Sequence, residues 1–237
     1  MDNDKTQIEI GDLNLDNETK TSKINAKETL NVYDIFVRCI KRAENLVFFQ
    51  NLSDQKGNLT DEHLCDSLRA SIVLSISALD AFIRALVVSE IKKQLSNSKT
   101  KLNVRLLEYI KNLLNQDTLL DAARNYDLME KVEKAVREDF ETKSFQGEWK
   151  ISSYLELVGY KDVFQEVSIL ANINEKNLRK NLTIYTTRRH IIAHSGDYNL
   201  NQFPPTENKI CKEDAEECIK IVKLFAEKIH EIVSKNE

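Results

Sequence analysis

The sequence predicts an all-α protein, and three of its features support that prediction. Glycine and proline are scarce, with 5 Gly and 2 Pro in 237 residues, whereas sheet proteins need these residues at frequent tight turns. Apolar residues recur every three or four positions along most of the chain, which is the period of an amphipathic helix. Residues 64–91 are the most apolar stretch, and their interspersed Ala and Ser allow a neighbouring helix to approach closely. We therefore expect a helical bundle built around this stretch, with additional peripheral helices.

Several of the predicted helices carry signals for a helix end. Thr60 or Asp61 is expected to cap the start of the second helix. Gly159 and Gly196 follow the fifth and seventh helices, where a glycine commonly ends a helix. Residues 197–208 are expected to form a polar loop. The eight predicted helices span residues 30–50, 64–91, 101–115, 117–139, 151–158, 161–171, 174–194 and 212–233.

A polar segment precedes the helices. Residues 1–28 are rich in Asp, Asn, Lys and Thr, so we expect a flexible tail ahead of one helical domain at residues 29–237. Four apolar residues alternate weakly within the tail: Ile8, Ile10, Leu13 and Leu15. That alternation is also compatible with a short strand or a docking arm that pairs with a partner's sheet edge.

The cysteines and the hydropathy pattern limit the class of protein. The cysteines form no C-x-x-C pair, the spacing that common zinc sites use, and we expect neither a metal nor another cofactor. We interpret them as reduced thiols of a cytoplasmic protein. No run of 18 apolar residues and no signal-peptide pattern occur, so we expect no membrane association. The four cysteines are Cys39, Cys65, Cys211 and Cys218.

Positive charge is concentrated in residues 176–194, which contain no acidic residue. The formal net charge of the chain is −4, so this run is a local patch suited to a phosphate-bearing ligand rather than part of a generally basic surface. Tyr185 is a candidate to stack on a base, although aromatic residues at helical spacing more often belong to the core. The candidate ligand-binding residues of the patch are Lys176, Arg179, Lys180, Tyr185 and Arg188.

Within the patch, Arg189 and His194 form an Arg-x4-His pattern. Arginine offers a fork of donors that matches a phosphate, and histidine can move a proton near neutral pH. These are the parts needed for metal-independent RNA cleavage, in which a base deprotonates a ribose 2′-hydroxyl and the hydroxyl attacks the adjacent phosphate. The spacing alone is also compatible with a simpler role for His194 as a cap on the helix C-terminus.

Two neighbouring residues leave alternatives open. Arg188 and Arg189 project about 100° apart on a helix, so we expect only one of them to face the site, and the polar residue after Arg189 favours Arg189. His190 and His194 share a helical face and could contribute to a zinc site. The Glu of a His-Glu-x-x-His motif is absent, however.

Two segments resemble those of HEPN domains. Residues 188–194 (RRHIIAH) are similar to the family's signature of Arg, a polar residue, three further residues and His, which lies near the end of a late helix before one closing helix. His190 occupies the polar position, where the family more often has Asn. Residues 71–82 (SIVLSISALDAF) resemble the HEPN core helix, which carries a buried acid, and Asp80 lies at the acidic position.

The resemblance is closest to the RiboL-PSP branch of HEPN domains. That branch has a Phe-Gln pair before a short helix ending in Leu-x-x-x-Gly, as at Phe145-Gln146 and residues 155–159, and a doubled arginine before the polar residue. The resemblance covers about residues 30–235. It implies a homodimer in which two Arg-x4-His motifs meet face to face in a composite, metal-independent ribonuclease site.

By the same resemblance, Arg189 and His194 are catalytic, His190 supports them, and Asp80 orients Arg189 by a charge-assisted hydrogen bond. From the residues alone, Asp80 is also compatible with a structural pair with Arg84, four residues away. Members of the family commonly cleave tRNA or mRNA as toxins or in anti-phage defence, which implies an RNA substrate and an antitoxin or defence-system partner protein. The alternative is a non-catalytic module that binds RNA, a nucleotide or a partner protein.

Overall fold

The computed structural model describes residues 31–53, 60–97 and 101–235. The tail predicted at residues 1–28, with its alternating apolar residues, lies outside these ranges. The described residues form nine helices and one small hairpin, which confirms the predicted all-α class. The helices are α1 (Val32–Ser53), α2 (Asp61–Ser96), α3 (Val104–Leu113), α4 (Gln116–Arg124), α5 (Leu128–Glu141), α6 (Glu148–Leu157), α7 (Val163–Ala171), α8 (Glu175–Ser195) and α9 (Lys212–Ser234), and the strands are β1 (Tyr198–Asn199) and β2 (Thr206–Glu207).

Helix α2 is the centre of the bundle. It packs most extensively against α1 and also contacts α5, α6, α8 and α9. Thr60 caps its start as predicted, since the Thr60 hydroxyl accepts a hydrogen bond from the backbone N–H of His63 at 3.4 Å. Among the described residues α2 is also long and apolar enough to cross a membrane, but more than half of its most apolar stretch is buried inside the bundle. Such burial is what the core helix of a bundle requires.

Aromatic side chains join the peripheral helices to the core. Phe145, in the loop before α6, packs on Phe140 of α5 at 4.7 Å and stacks on Tyr154 of α6 at 4.1 Å between ring centroids. Phe164 of α7 packs on Phe225 of α9 at 4.8 Å. These contacts hold α5, α6 and α7 around the frame on which α8 lies.

Two local predictions are wrong. The single helix expected at residues 117–139 is two helices, α4 and α5, because the chain turns at Asn125–Asp127 with Tyr126 in the left-handed region (φ 60°). The turn contains no Gly or Pro that would mark it in the sequence. The loop expected at residues 197–208 contains the β1–β2 hairpin, in which Tyr198 pairs with Glu207. Strands of two residues are too short to produce an alternating pattern.

Both ends of α8 are capped, and the C-terminal end lies at Gly196 as predicted. The side chain of Asn174 accepts a hydrogen bond from the N–H of Asn177 at 3.1 Å and caps the start of the helix. Gly196 ends the helix in the left-handed region (φ 57°). The residues of interest therefore lie on a helix with defined ends that packs against α2, α7 and α9.

Replacing Phe225 with Ala should lower the free energy of unfolding by about 3–5 kcal/mol, because the side chain is fully buried and the loss leaves a cavity against Phe164. Urea unfolding measures the change. Leu120→Ala is the control, since Leu120 is 61% exposed, and it should shift the free energy by less than about 0.5 kcal/mol. Equal effects of the two substitutions would contradict the described core.

Candidate active site

Helix α8 presents two stripes of different character. One faces the core and runs from buried to half-buried positions through Leu178, Leu182, Tyr185, Arg189 and Ile192. The other lies on the opposite side of the helix, because its members are also spaced by three and four residues but out of phase with the first set. This exposed stripe consists of Lys176, Lys180, Thr183, Thr187, His190 and His194. We call it the basic stripe, and it extends about 27 Å along the helix.

The basic stripe ends in two adjacent histidines. The ring centroids of His190 and His194 lie 4.3 Å apart, with a tilt of 46° between the rings. Both side chains are exposed, with His194 on the last turn of α8 and His190 one turn before it. Two neighbouring imidazoles that are open to solvent can accept and donate protons at one ligand.

Immediately after α8, the chain turns back and buries a carboxylate. Gly196 (φ 57°) and Asp197 (φ 69°) both adopt left-handed backbone, which Asp tolerates better than most residues. The Asp197 side chain is fully buried. Arg69 Nε donates to Asp197 Oδ2 at 3.0 Å, and Arg188 Nη2 donates to the same oxygen at 2.6 Å. Asn208 Nδ2 donates to Oδ1 at 3.2 Å. The ion pairs and hydrogen bonds compensate the burial of the charge.

Arg188 is therefore part of the fold. Besides Asp197, its Nη2 group donates to the backbone carbonyl of Lys209 at 3.0 Å, which ties α8 to the segment that leads into α9. These bonds engage the Nη2 group of Arg188 within the protein, and its contact with RNA stays a prediction. The sequence does not indicate that Asp197 is the partner of Arg188, because the burial of Asp197 depends on Arg69, 128 residues away.

Arg69 is a charged residue within the apolar stretch of α2. Such a position is itself a signal, because a cation on a buried helix face needs an acidic partner. The partner could not be named from the sequence, since Arg69 and Asp197 are 128 residues apart.

Arg189 differs from its neighbour. Its Nε is buried without a hydrogen-bond partner, and within residues 31–53, 60–97 and 101–235 it forms no ion pair. Arg188 Nε is unpaired as well, but its Nη2 is committed to Asp197 and to backbone carbonyls. Of the two adjacent arginines, Arg188 is thus bound within the fold, and Arg189 has no ion-pair partner among the described residues.

Arg189 and His194 do not lie on one face of α8. Five residues separate them, so their directions from the helix axis differ by about 140°. Arg189 continues the core-facing stripe, whereas His194 belongs to the basic stripe. One copy of α8 therefore presents the two groups in different directions.

Asp80 lies elsewhere. Its Oδ2 accepts a hydrogen bond from Arg84 Nη2 at 3.1 Å, and its Oδ1 accepts one from the backbone N–H of Phe145 at 2.6 Å. Arg69 is the residue of α2 that contacts Asp197 at the end of α8. Asp80 lies 11 residues farther along α2, a distance of about 16 Å along the helix axis. The expected contact with Arg189 is wrong, and the alternative pairing with Arg84 is confirmed. Asp80 holds the loop before α6 in place.

The side chains of two further residues of the predicted basic patch form contacts within the protein. Arg179 Nε donates to Glu175 Oε1 at 2.8 Å, and its guanidinium lies 4.2 Å from the ring centre of Phe164. Tyr185 is half-buried against the core, and burial raises its pKa to about 12. Of the predicted ligand-binding residues, the basic stripe thus contains Lys176 and Lys180.

Other potential sites are distant or incomplete. In the described part of the chain, no three His, Cys, Asp or Glu side chains converge in a way that could hold a metal ion. The four cysteines are free. A cavity of ≈ 880 Å³ lies between α1 and α9, and no residue of α8 lines it. The chemistry at the end of α8 is therefore exposed at a surface and does not lie inside this cavity.

The family model described as RiboL-PSP-HEPN matches residues 37–235, which include most of α1 and all the other helices. No curated protein and no solved structure shows significant similarity to the chain.

Replacing Asp197 with Ala should lower the free energy of unfolding by about 3–5 kcal/mol, because it leaves two partly or wholly buried guanidinium groups without their shared carboxylate. Denaturant unfolding measures the change. Asp66→Ala provides a matched control, since it removes an exposed carboxylate from the same Arg69 and should cost less than about 1 kcal/mol. Similar losses for both variants would show that Asp197 is not the dominant partner.

Proposed function

Since this chain belongs to the RiboL-PSP-HEPN family, we propose that it is a metal-independent endoribonuclease. The observation that supports the proposal most directly is the contrast between two adjacent arginines. Arg188 is bound by Asp197, while Arg189 has donors without partners beside two exposed histidines. An arginine fork and an imidazole are the groups required to cleave RNA by 2′-hydroxyl attack.

In the proposed reaction, His194 removes the proton from a ribose 2′-hydroxyl. The 2′-oxygen forms a bond to the adjacent phosphorus, and the bond from phosphorus to the 5′-oxygen of the next nucleotide breaks. His190, 4.3 Å from His194 between ring centroids, donates a proton to the departing 5′-oxygen. Arg189 stabilises the negative charge that accumulates on the phosphoryl oxygens. The products are a 2′,3′-cyclic phosphate and a free 5′-hydroxyl.

The proposal requires a homodimer. Because Arg189 and His194 point in directions about 140° apart on α8, a two-fold arrangement of two copies is the simplest way to bring them to one phosphate. In this arrangement Arg189 of one protomer acts with His194 of the other. Each dimer then has two equivalent sites.

Lys176 and Lys180 extend the proposed site along α8. Both lysines are exposed on the basic stripe with His190 and His194, so they are positioned to bind RNA phosphates on one side of the cleavage point. The substrates proposed are tRNA or mRNA in the cytoplasm. A ribonuclease that attacks such RNA must be restrained, so the proposed setting is a toxin–antitoxin or anti-phage defence system with an inhibitory or activating partner protein.

Purified protein should cleave total cellular RNA in the presence of a chelator, and Arg189→Met and His194→Ala should each reduce the rate at least about 100-fold. Arg189→Met retains an apolar stem at the half-buried position. Arg124→Met serves as the control, because Arg124 is an exposed cation on α4, and should cleave at the wild-type rate. RNA binding without any cleavage would favour the non-catalytic module, and cleavage by His194→Ala at the wild-type rate would exclude the proposed base.

Co-expression of the Arg189→Met and His194→Ala chains should restore part of the activity that each variant lacks alone. A mixed dimer contains one site with an intact arginine from one protomer and an intact histidine from the other. Random pairing makes half of the dimers mixed, so about a quarter of the wild-type activity is expected. Mixed dimers, isolated by two affinity tags, that show no activity would contradict a site shared between protomers.

A further inference from the structure

The hairpin that follows α8 has an exposed, uncharged tip. The hairpin tip, residues 198–206, contains no Asp, Glu, Lys or Arg, in a chain of which 30% is charged. Phe203 is 99% exposed and Leu200 is 65% exposed. Large apolar side chains held in water at one place are a feature of interaction surfaces. The hairpin tip begins four residues after His194, so it adjoins the proposed catalytic end of α8.

The hairpin tip is held by hydrogen bonds within the hairpin and at its base. At the base, the backbone N–H of Asn208 donates to the carbonyl of Asp197 at 2.9 Å, next to the Arg69–Asp197–Arg188 cluster. Within the tip, Thr206 Oγ1 donates to Gln202 Oε1 at 2.8 Å, and the backbone N–H of Asn201 donates to Asn199 Oδ1 at 3.1 Å. The exposed side chains therefore project from an ordered support, which lowers the entropic cost of binding a ligand.

The composition of the hairpin tip suits an unpaired nucleobase. Tyr198 and Phe203 offer aromatic faces, which stack on bases irrespective of sequence. Amide side chains offer the donors and acceptors that match base edges, and here they belong to Asn199, Asn201 and Gln202. The absence of carboxylates within the tip avoids repulsion of the RNA backbone.

We propose that the hairpin tip binds a nucleobase of single-stranded RNA beside the phosphate that is cleaved, with Phe203 as the stacking residue. This inference rests on the proposed ribonuclease function and adds its substrate class: RNA with an unpaired base at the cleavage point, as in a loop. Lys209, exposed just beyond the hairpin, is positioned to bind a flanking phosphate. A protein that reads duplex RNA by its backbone would have no use for an aromatic tip.

The first test measures binding in the His194→Ala background, so that its outcome does not depend on cleavage. The probe is a fluorescein-labelled RNA stem-loop, compared with a fully paired duplex of the same length by fluorescence anisotropy. Phe203→Ala should weaken stem-loop binding by about 5- to 150-fold, the range found for single base-stacking aromatics, and should leave duplex binding unchanged. Phe49→Ala is the matched control, because Phe49 is an aromatic residue on α1 that is 56% exposed, and should have no effect.

The second test detects the contact itself. With Trp149 replaced by Phe, the Phe203→Trp chain carries its single tryptophan at the hairpin tip. Stacking on a base should quench its fluorescence, and an abasic substitution in the RNA loop should abolish the quenching. Unchanged affinity of Phe203→Ala together with no quenching would overturn the proposal.

The oligomeric state separates a protein contact from an RNA contact. Light scattering should show the same mass for Phe203→Ala and for the parent chain. Dissociation of a dimer by this substitution would overturn the proposal, since the hairpin tip would then be a contact between protomers. If the wild-type chain cleaves no RNA but the Phe203-dependent quenching persists, the ribonuclease proposal fails while the base-binding site stands.

Discussion

The arrangement of the site depends on one buried carboxylate. Asp197 is fully buried between Arg69 of α2 and Arg188 of α8, and a carboxylate in that position is tolerated only because two cations share it. The same cluster holds Asn208 and the carbonyl of Lys209, so it joins the central helix, the last turns of α8 and the segment leading into α9. The direction in which α8 presents its last two turns follows from this joint.

The cluster also separates the roles of two adjacent arginines. On a helix, consecutive side chains diverge by about 100°, so Arg188 reaches Asp197 while Arg189 continues the stripe that begins with Leu178 and Leu182. Arg189 occupies a position where an apolar residue would pack, and its Nε is left without a partner. An unsatisfied buried donor is costly, and a ligand phosphate that accepts its hydrogen bonds would remove that cost.

The two stripes of α8 and the hairpin beyond it offer different kinds of contact to an RNA. In the proposed function, the two lysines of the basic stripe attract phosphate, the histidines at its end transfer protons, and the uncharged hairpin tip adds aromatic and amide groups. Long-range attraction to phosphate and short-range recognition of a base are thus assigned to different elements. Their relative placement depends on the turn at Gly196 and Asp197.

The sequence by itself determined the features that depend on residues within a turn or two: the all-α class, the caps Thr60 and Gly196, and the Arg-x4-His pattern on a late helix. The sequence did not determine which charged side chains pair with each other. From the sequence, Asp80 could pair with Arg84 or Arg189, and the packed structure pairs it with Arg84. In the same way, the pairing of Asp197 with Arg69, 128 residues away, is visible only in the structure. Local signals arise from hydrogen bonds and spacing along the chain, whereas buried ion pairs form between residues that only the packed tertiary structure brings together.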